Sequence, residues 1–114
     1  ERDVLVTRSD GKTPIRLVRT IPLQDESPGN LRLRVGCEPN ESWKLLVHCN
    51  GHVLLEETIE NDADDGTWRT FVIQFPADAA SPALVQIVAQ AEDEHAFSAL
   101  WKSIRYDASA SRIQ

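Results

Sequence analysis

The sequence predicts an all-β chain, an antiparallel sandwich of two sheets with about eight strands. Three observations carry this. Short runs rich in β-branched and aromatic residues recur along the whole chain. The segments between them are built from Gly, Pro, Asn, Asp and Ser, the residues that make turns. And Asn50-Gly51 sits between two apolar runs, the strongest short-range hairpin signal, because a type I′ turn needs positive φ at both central residues.

Taken in order, Val4–Thr7 and Ile15–Ile21 flank the turn composition Ser9-Asp10-Gly11-Lys12. The breaker-rich stretch from Pro22 to Asn30, with Ser27-Pro28-Gly29-Asn30, precedes the run Leu31–Gly36. Trp43–Cys49 and His52–Ile59 are the arms of the Asn-Gly hairpin. A two-residue turn predicts the register Cys49 opposite His52, Val47 opposite Leu54, Lys44 opposite Glu57 and Trp43 opposite Thr58, with a Lys44–Glu57 charge pair. One face of the hairpin then carries Trp43, Leu45, Val47, Cys49 and Leu54, and the other Leu46, Val53, Leu55 and Ile59. Both faces are apolar, so the second is expected to be covered by the chain's own segments or by a neighbouring domain. Thr67–Phe75 follows the acidic turn Asn61–Gly66, and Leu84–Gln90 follows Pro76–Pro82. The last run, Phe97–Tyr106, is ambiguous. Ala96, Ala99, Leu100, Ser103 and Ile104 recur at helical spacing behind a capping Asp93, so pattern alone predicts a helix over 93–105.

At 114 residues the chain buries about two-thirds of its unfolded surface, enough for one core. Residues 1–114 are therefore expected to form a single domain. Methionine is absent, position 1 included, which predicts a domain excised from a longer protein. No apolar run approaches the roughly 20 residues that span a bilayer, and no N-terminal segment has the form of a signal peptide, so a membrane partner is not expected. Twelve Lys and Arg against eighteen Asp and Glu give a net charge of −6, with the basic residues scattered along the sequence, which disfavours nucleic acid.

Cys37 and Cys49 fall on neighbouring antiparallel runs, one at the loop end and one about six residues down the next strand. At ~3.3 Å per residue that is roughly 20 Å, too far for a disulfide. Two thiols are expected, Cys49 as a small core residue and Cys37 near a loop mouth.

Four segments read together carry a resemblance: Trp43-Lys-Leu-Leu-Val-His-Cys-Asn50-Gly51, Trp68-Arg-Thr-Phe-Val-Ile-Gln-Phe75, Leu84-Val-Gln-Ile-Val88, and Ala99-Leu-Trp101-Lys-Ser-Ile104. Over roughly residues 31–106 the chain resembles the galactose-binding-like jelly rolls of the carbohydrate-binding-module type, accessory domains of exported bacterial proteins. The resemblance implies a jelly-roll sandwich with strand at the C-terminus, and a non-catalytic module that binds carbohydrate in an extracellular or periplasmic setting. Its rival is a structural or protein-interaction domain packed on neighbouring domains without a small ligand. The chain departs from the pattern at Phe75-Pro76-Ala77-Asp78, where many relatives carry Asp-Leu-Ser, and at Lys102, where many carry an acid.

No nucleophile motif of the G-x-S-x-G type is present, and a small sandwich rarely provides the cleft that paired glycosidase carboxylates need, so an enzyme is not expected. His48 and His52 have a helical zinc spacing, but the Asn-Gly turn between them sends them to opposite faces of a hairpin. Asn61 to Gly66 is not an EF-hand loop, because Ala63 takes the third ligand position and Val72 the twelfth. Its acids Asp62, Asp64 and Asp65 are the metal candidates, for calcium. With strands alternating in direction, loops 8–14, 37–42, 60–66 and 91–96 emerge at one end, where ten acids face Arg8 and Lys12 for a net −8. That pole is expected to meet a cation, a basic partner, or only water. Trp43 and Trp101 are expected in the core; Trp68, at a loop edge, can join them or offer its ring to a sugar. Trp68, Asn40 and His95 are the ligand-binding candidates.

Overall fold

The computed structural model describes residues 5–22, 29–60, 68–76 and 82–107. Every regular element among them is a strand: β1 (Leu5–Ser9), β2 (Ile15–Ile21), β3 (Asn30–Cys37), β4 (Ser42–Cys49), β5 (His52–Glu60), β6 (Arg69–Gln74), β7 (Ala83–Ala91) and β8 (Phe97–Asp107). Two four-stranded antiparallel sheets form, in the orders β1-β8-β3-β6 and β2-β7-β4-β5, the crossover pattern of a jelly-roll sandwich. Strand limits fall within two residues of those read from the sequence. No helix of the described residues is long and apolar enough to cross a membrane.

The core follows from period-two burial. On β4, Trp43, Leu45, Val47 and Cys49 are buried while the residues between them are half-buried, and Leu31, Leu33, Val35 and Cys37 of β3 face them from the other sheet. An aromatic cluster fixes the sheets face to face. Trp43 stacks on Phe97 at 6.0 Å between centroids and 13° between planes, and meets Trp101 at 5.4 Å. Each indole N–H finds an acceptor: Trp43 Nε1 donates to the Gly36 carbonyl across the sandwich at 3.2 Å, and Trp101 Nε1 to Thr7 Oγ1 at 2.9 Å. Full burial of such rings contributes about 1.5–3 kcal/mol each, and the paired N–H groups spare the core an unsatisfied donor.

Two bulges correct the sequence reading. In the β4–β5 hairpin, Cys49 pairs with His52 and His48 with Val53, but Leu54 is then passed over and Val47 pairs with Leu55. Downstream register shifts by one: Trp43 lies opposite Ile59, and Lys44 opposite Thr58. Leu55 and Ile59 therefore face the core rather than the outer face, since a one-residue slip exchanges the faces of every residue after it. The expected Lys44–Glu57 pair is replaced by Lys44 Nζ to Glu56 Oε2 at 3.3 Å, and Glu57 pairs with Arg69 at 3.7 Å. The second bulge lies in β8, where Trp101 pairs with Val35 and Ser103 with Arg34, leaving Lys102 extra. The C-terminal segment is a strand from Phe97 on, as the family resemblance implied and the local periodicity did not.

Cys37 and Cys49 are both buried thiols. Burial raises Cys49 above the ordinary thiol range. Among the described residues, the outer face of β2-β7-β4-β5 is left partly bare: Val18, Val53 and Leu84 are more than a third exposed, and His48 Nε2 is buried there without a hydrogen-bond partner.

Candidate functional site

The alternation of strand direction brings the 8–14, 37–42 and 91–96 loops to one end of the sandwich. Their contacts are made by specific side chains. The Ser98 N–H donates to Glu41 Oε1 at 2.8 Å, and Arg8 Nη1 reaches both Ser98 Oγ at 2.7 Å and Glu41 Oε2 at 3.4 Å. Glu41 thus joins β1, the β3–β4 loop and the start of β8. Asp10 closes its own turn by accepting the Lys12 and Thr13 N–H groups at 2.8 and 3.1 Å, which hold its carboxyl below the usual range.

Between these loops lies a polar cleft of about 290 Å³, lined by Asn40, Glu41, Ser42, Asp93, His95 and Ala96. Asn40 stands at one wall with φ +66°, a left-handed conformation that Asn tolerates better than most residues. On the other wall His95 Nδ1 and Asp93 Oδ1 are 2.9 Å apart, and the imidazole's hydrogen bond holds the Asp93 carboxyl below its usual range. Glu94, between them, has φ +69°, so the turn throws both side chains to the cleft side. The lining offers an amide, two carboxylates, a hydroxyl and an imidazole at one opening, a set of donors and acceptors suited to a polyhydroxylated ligand.

The structure thus brings Asn40 and His95 together. It does not bring Trp68 to them. Trp68 is half-buried just before β6, outside the core cluster, and Lys102 Nζ lies 5.2 Å from its ring centroid, so one face already carries a cation. Asp62, Asp64 and Asp65 lie outside the described residues. Among the described residues, no group of three or more His, Cys, Asp and Glu side chains is arranged to hold a metal ion. Sequence reasoning missed Glu41 and Asp93 as members of the cleft. Glu41 was counted only as charge at the pole, and Asp93 as charge there and as a helix cap; their partners, Ser98 and His95, become visible only once the loops are placed.

A second cleft, of about 370 Å³, opens at the other end between the sheets. Ile21, Leu31, Ile104 and Tyr106 give it an apolar floor, and Arg19 and Arg105 border it.

No family model matches the chain, and no curated protein matches it. Among solved structures it is similar to the EclA C-terminal domain, described as a sugar-binding protein, with a TM-score of 0.65 and 10% sequence identity over 94% of this chain and 80% of that one. At that identity the likeness is one of fold.

Proposed function

We propose that the chain is a non-catalytic carbohydrate-binding module. The observation that carries this reading is the convergence of Asn40, Glu41, Asp93 and His95 on one solvent-open cleft. Amide, carboxylate and imidazole groups can make the directional hydrogen bonds by which sugar hydroxyls are read. The sandwich shared with a sugar-binding domain supports the same class of ligand. A galactose-binding-like accessory role in an exported bacterial protein, outside the cytoplasm, is the finer form of the proposal.

A second reading has its own support. Val18, Val53 and Leu84, 58%, 55% and 40% exposed, lie on the outer face of β2-β7-β4-β5, which suits packing against a neighbouring domain.

A glycan array followed by calorimetry on any hit tests the first reading. Asp93→Asn and His95→Ala are expected to weaken binding at least tenfold with the melting temperature unchanged, because both side chains are exposed. Silence across neutral and acidic glycans, or binding indifferent to both substitutions, removes the cleft as a sugar site.

A further inference from the structure

The outward face of β1-β8-β3-β6 is strongly basic on a chain of net charge −6. Residues 31, 33, 35 and 37 of β3 point into the core, so Arg32 and Arg34 point out. The register sets Arg105 beside Arg32, and Ser103 beside Arg34. On the other flank Arg32 and Arg34 neighbour Val72 and Thr70 of β6. The β8 bulge adds Lys102 to the same face, against the Trp68 ring, and Arg8 stands outward on β1 beside Ser98. Among the described residues, the outward register positions of this sheet thus hold five cations, Arg8, Arg32, Arg34, Lys102 and Arg105, and Asp107 pairs in register with Asn30 at its end. Arg32, Arg34 and Arg105 are all exposed, and none makes an ion pair or a side-chain hydrogen bond with a described residue. Arg105 also borders the 370 Å³ cleft, where Arg19 adds a further guanidinium.

Guanidinium groups on adjacent strands stand about 5 Å apart at their roots, and those two residues apart on one strand about 7 Å, so three planar forks share one flat surface. Such forks bind carboxylates with two parallel hydrogen bonds each. Around them lie Thr70, Ser103, Asn30 and Gln74, neutral groups that can hydrogen-bond the hydroxyls between carboxylates. Among the described residues of this face there is no bare aromatic ring to stack a nucleobase: Trp68 already carries Lys102.

We infer that this sheet face docks an acidic polysaccharide, its uronate carboxylates held by Arg32, Arg34 and Arg105. The inference rests on the carbohydrate reading and deepens it by naming the charge of the ligand and a second surface, separate from the Asn40–His95 cleft.

The test is affinity electrophoresis and calorimetry with polygalacturonate, neutral galactan, dextran sulfate and duplex DNA. Polygalacturonate is expected to retard the protein, and added salt to abolish the retardation. Replacing Arg32, Arg34 and Arg105 together by Gln should weaken that binding more than tenfold. Replacing Lys12, Arg16 and Lys44, which lie off this face, by Gln removes the same charge and should change it less than twofold. Circular dichroism and melting temperature of both triple variants confirm that they fold. Equal losses in the two variants overturn the inference, as does tighter binding of dextran sulfate or DNA than of polygalacturonate. Binding of galactan with no binding of polygalacturonate overturns it too, while leaving the carbohydrate reading standing; no binding of any glycan overturns both.

Discussion

Asn50 and Leu84 hold each other by two hydrogen bonds: the Asn50 N–H donates to the Leu84 carbonyl at 2.9 Å, and the Leu84 N–H donates to Asn50 Oδ1 at 2.9 Å. The tip of the β4–β5 hairpin is thereby tied to the start of β7, its neighbour in the sheet. Asn50 also sits at φ +52°, followed by Gly51 at +87°, so the residue serves the turn and the tie at once. Asn50→Gly keeps the backbone conformation and loses the side-chain acceptor, an expected cost of about 1 kcal/mol. Asn50→Ala loses the acceptor and adds left-handed strain of about 1–2 kcal/mol. Thermal melts should rank wild type above Asn50→Gly above Asn50→Ala; a reversed order of the two variants would show that the turn conformation is not what Asn50 supplies.

Gly11 and Gly51 both have positive φ, +92° and +87°, yet their surroundings differ. A Cβ at Gly51 meets nothing within 4 Å, whereas one at Gly11 would lie 2.5 Å from the Glu94 carbonyl oxygen and 2.7 Å from the His95 carbonyl carbon. Gly51→Ala should therefore cost about 1–2 kcal/mol, the left-handed term alone. Gly11→Ala should cost more than about 3 kcal/mol, because backbone must move as well, and it should displace the 93–95 wall of the polar cleft. Urea denaturation gives the two costs. Equal values would mean that the 10–13 turn does not rest on the 94–95 backbone.

The strands were legible because each is a compact β-rich run between breakers, but the bulges were not. In β5 the run Val53-Leu54-Leu55 is apolar without alternation, so nothing local says which leucine is passed over; burying Ile59 opposite Trp43 decides it. In β8 the inward residues are Phe97, Ala99 and Trp101, then Ile104 and Tyr106 after the skipped Lys102. That skip breaks the period of two and leaves a spacing that imitates a helix. The polar cleft was half legible, through Asn40 and His95. The arginine face was not, because Arg32 and Arg34 are some seventy residues from Lys102 and Arg105 in sequence, and only the β3–β8 pairing puts them side by side.

The hairpin bulge has an energetic signature. Lys44 and Glu56 are joined at 3.3 Å, with their side chains 32% and 56% exposed, so the pair is screened and worth about 0.2–1 kcal/mol. A double-mutant cycle on Lys44→Ala and Glu56→Ala should give a coupling in that range, falling with added salt. The matching cycle with Glu57→Ala should give none, since Glu57 faces Arg69. Coupling to Glu57 in place of Glu56 would restore the unbulged register.

Among the described residues, the Cys37 thiol is displaced furthest from its ordinary range. It lies 3.2 Å from the Glu41 carbonyl and 3.8 Å from that of Ile59. Burial first, then the nearby charges of Glu41, Glu60 and Glu38, push it from its ordinary 9.0 up to about 11. At pH 8 this leaves about a hundredfold less thiolate than an unshifted cysteine, so the folded protein should resist iodoacetamide at Cys37 and react once unfolded in urea. The sign for stability follows from the raised value: the folded state holds the proton more tightly, so its contribution is complete below about pH 9 and is lost as the pH climbs through about 11. Urea midpoints of wild type and Cys37→Ala, compared at pH 8 and pH 11, should therefore converge, the wild type losing its advantage over the variant. A constant difference across that window would mean that the thiol titrates in the folded chain as it does in the unfolded one.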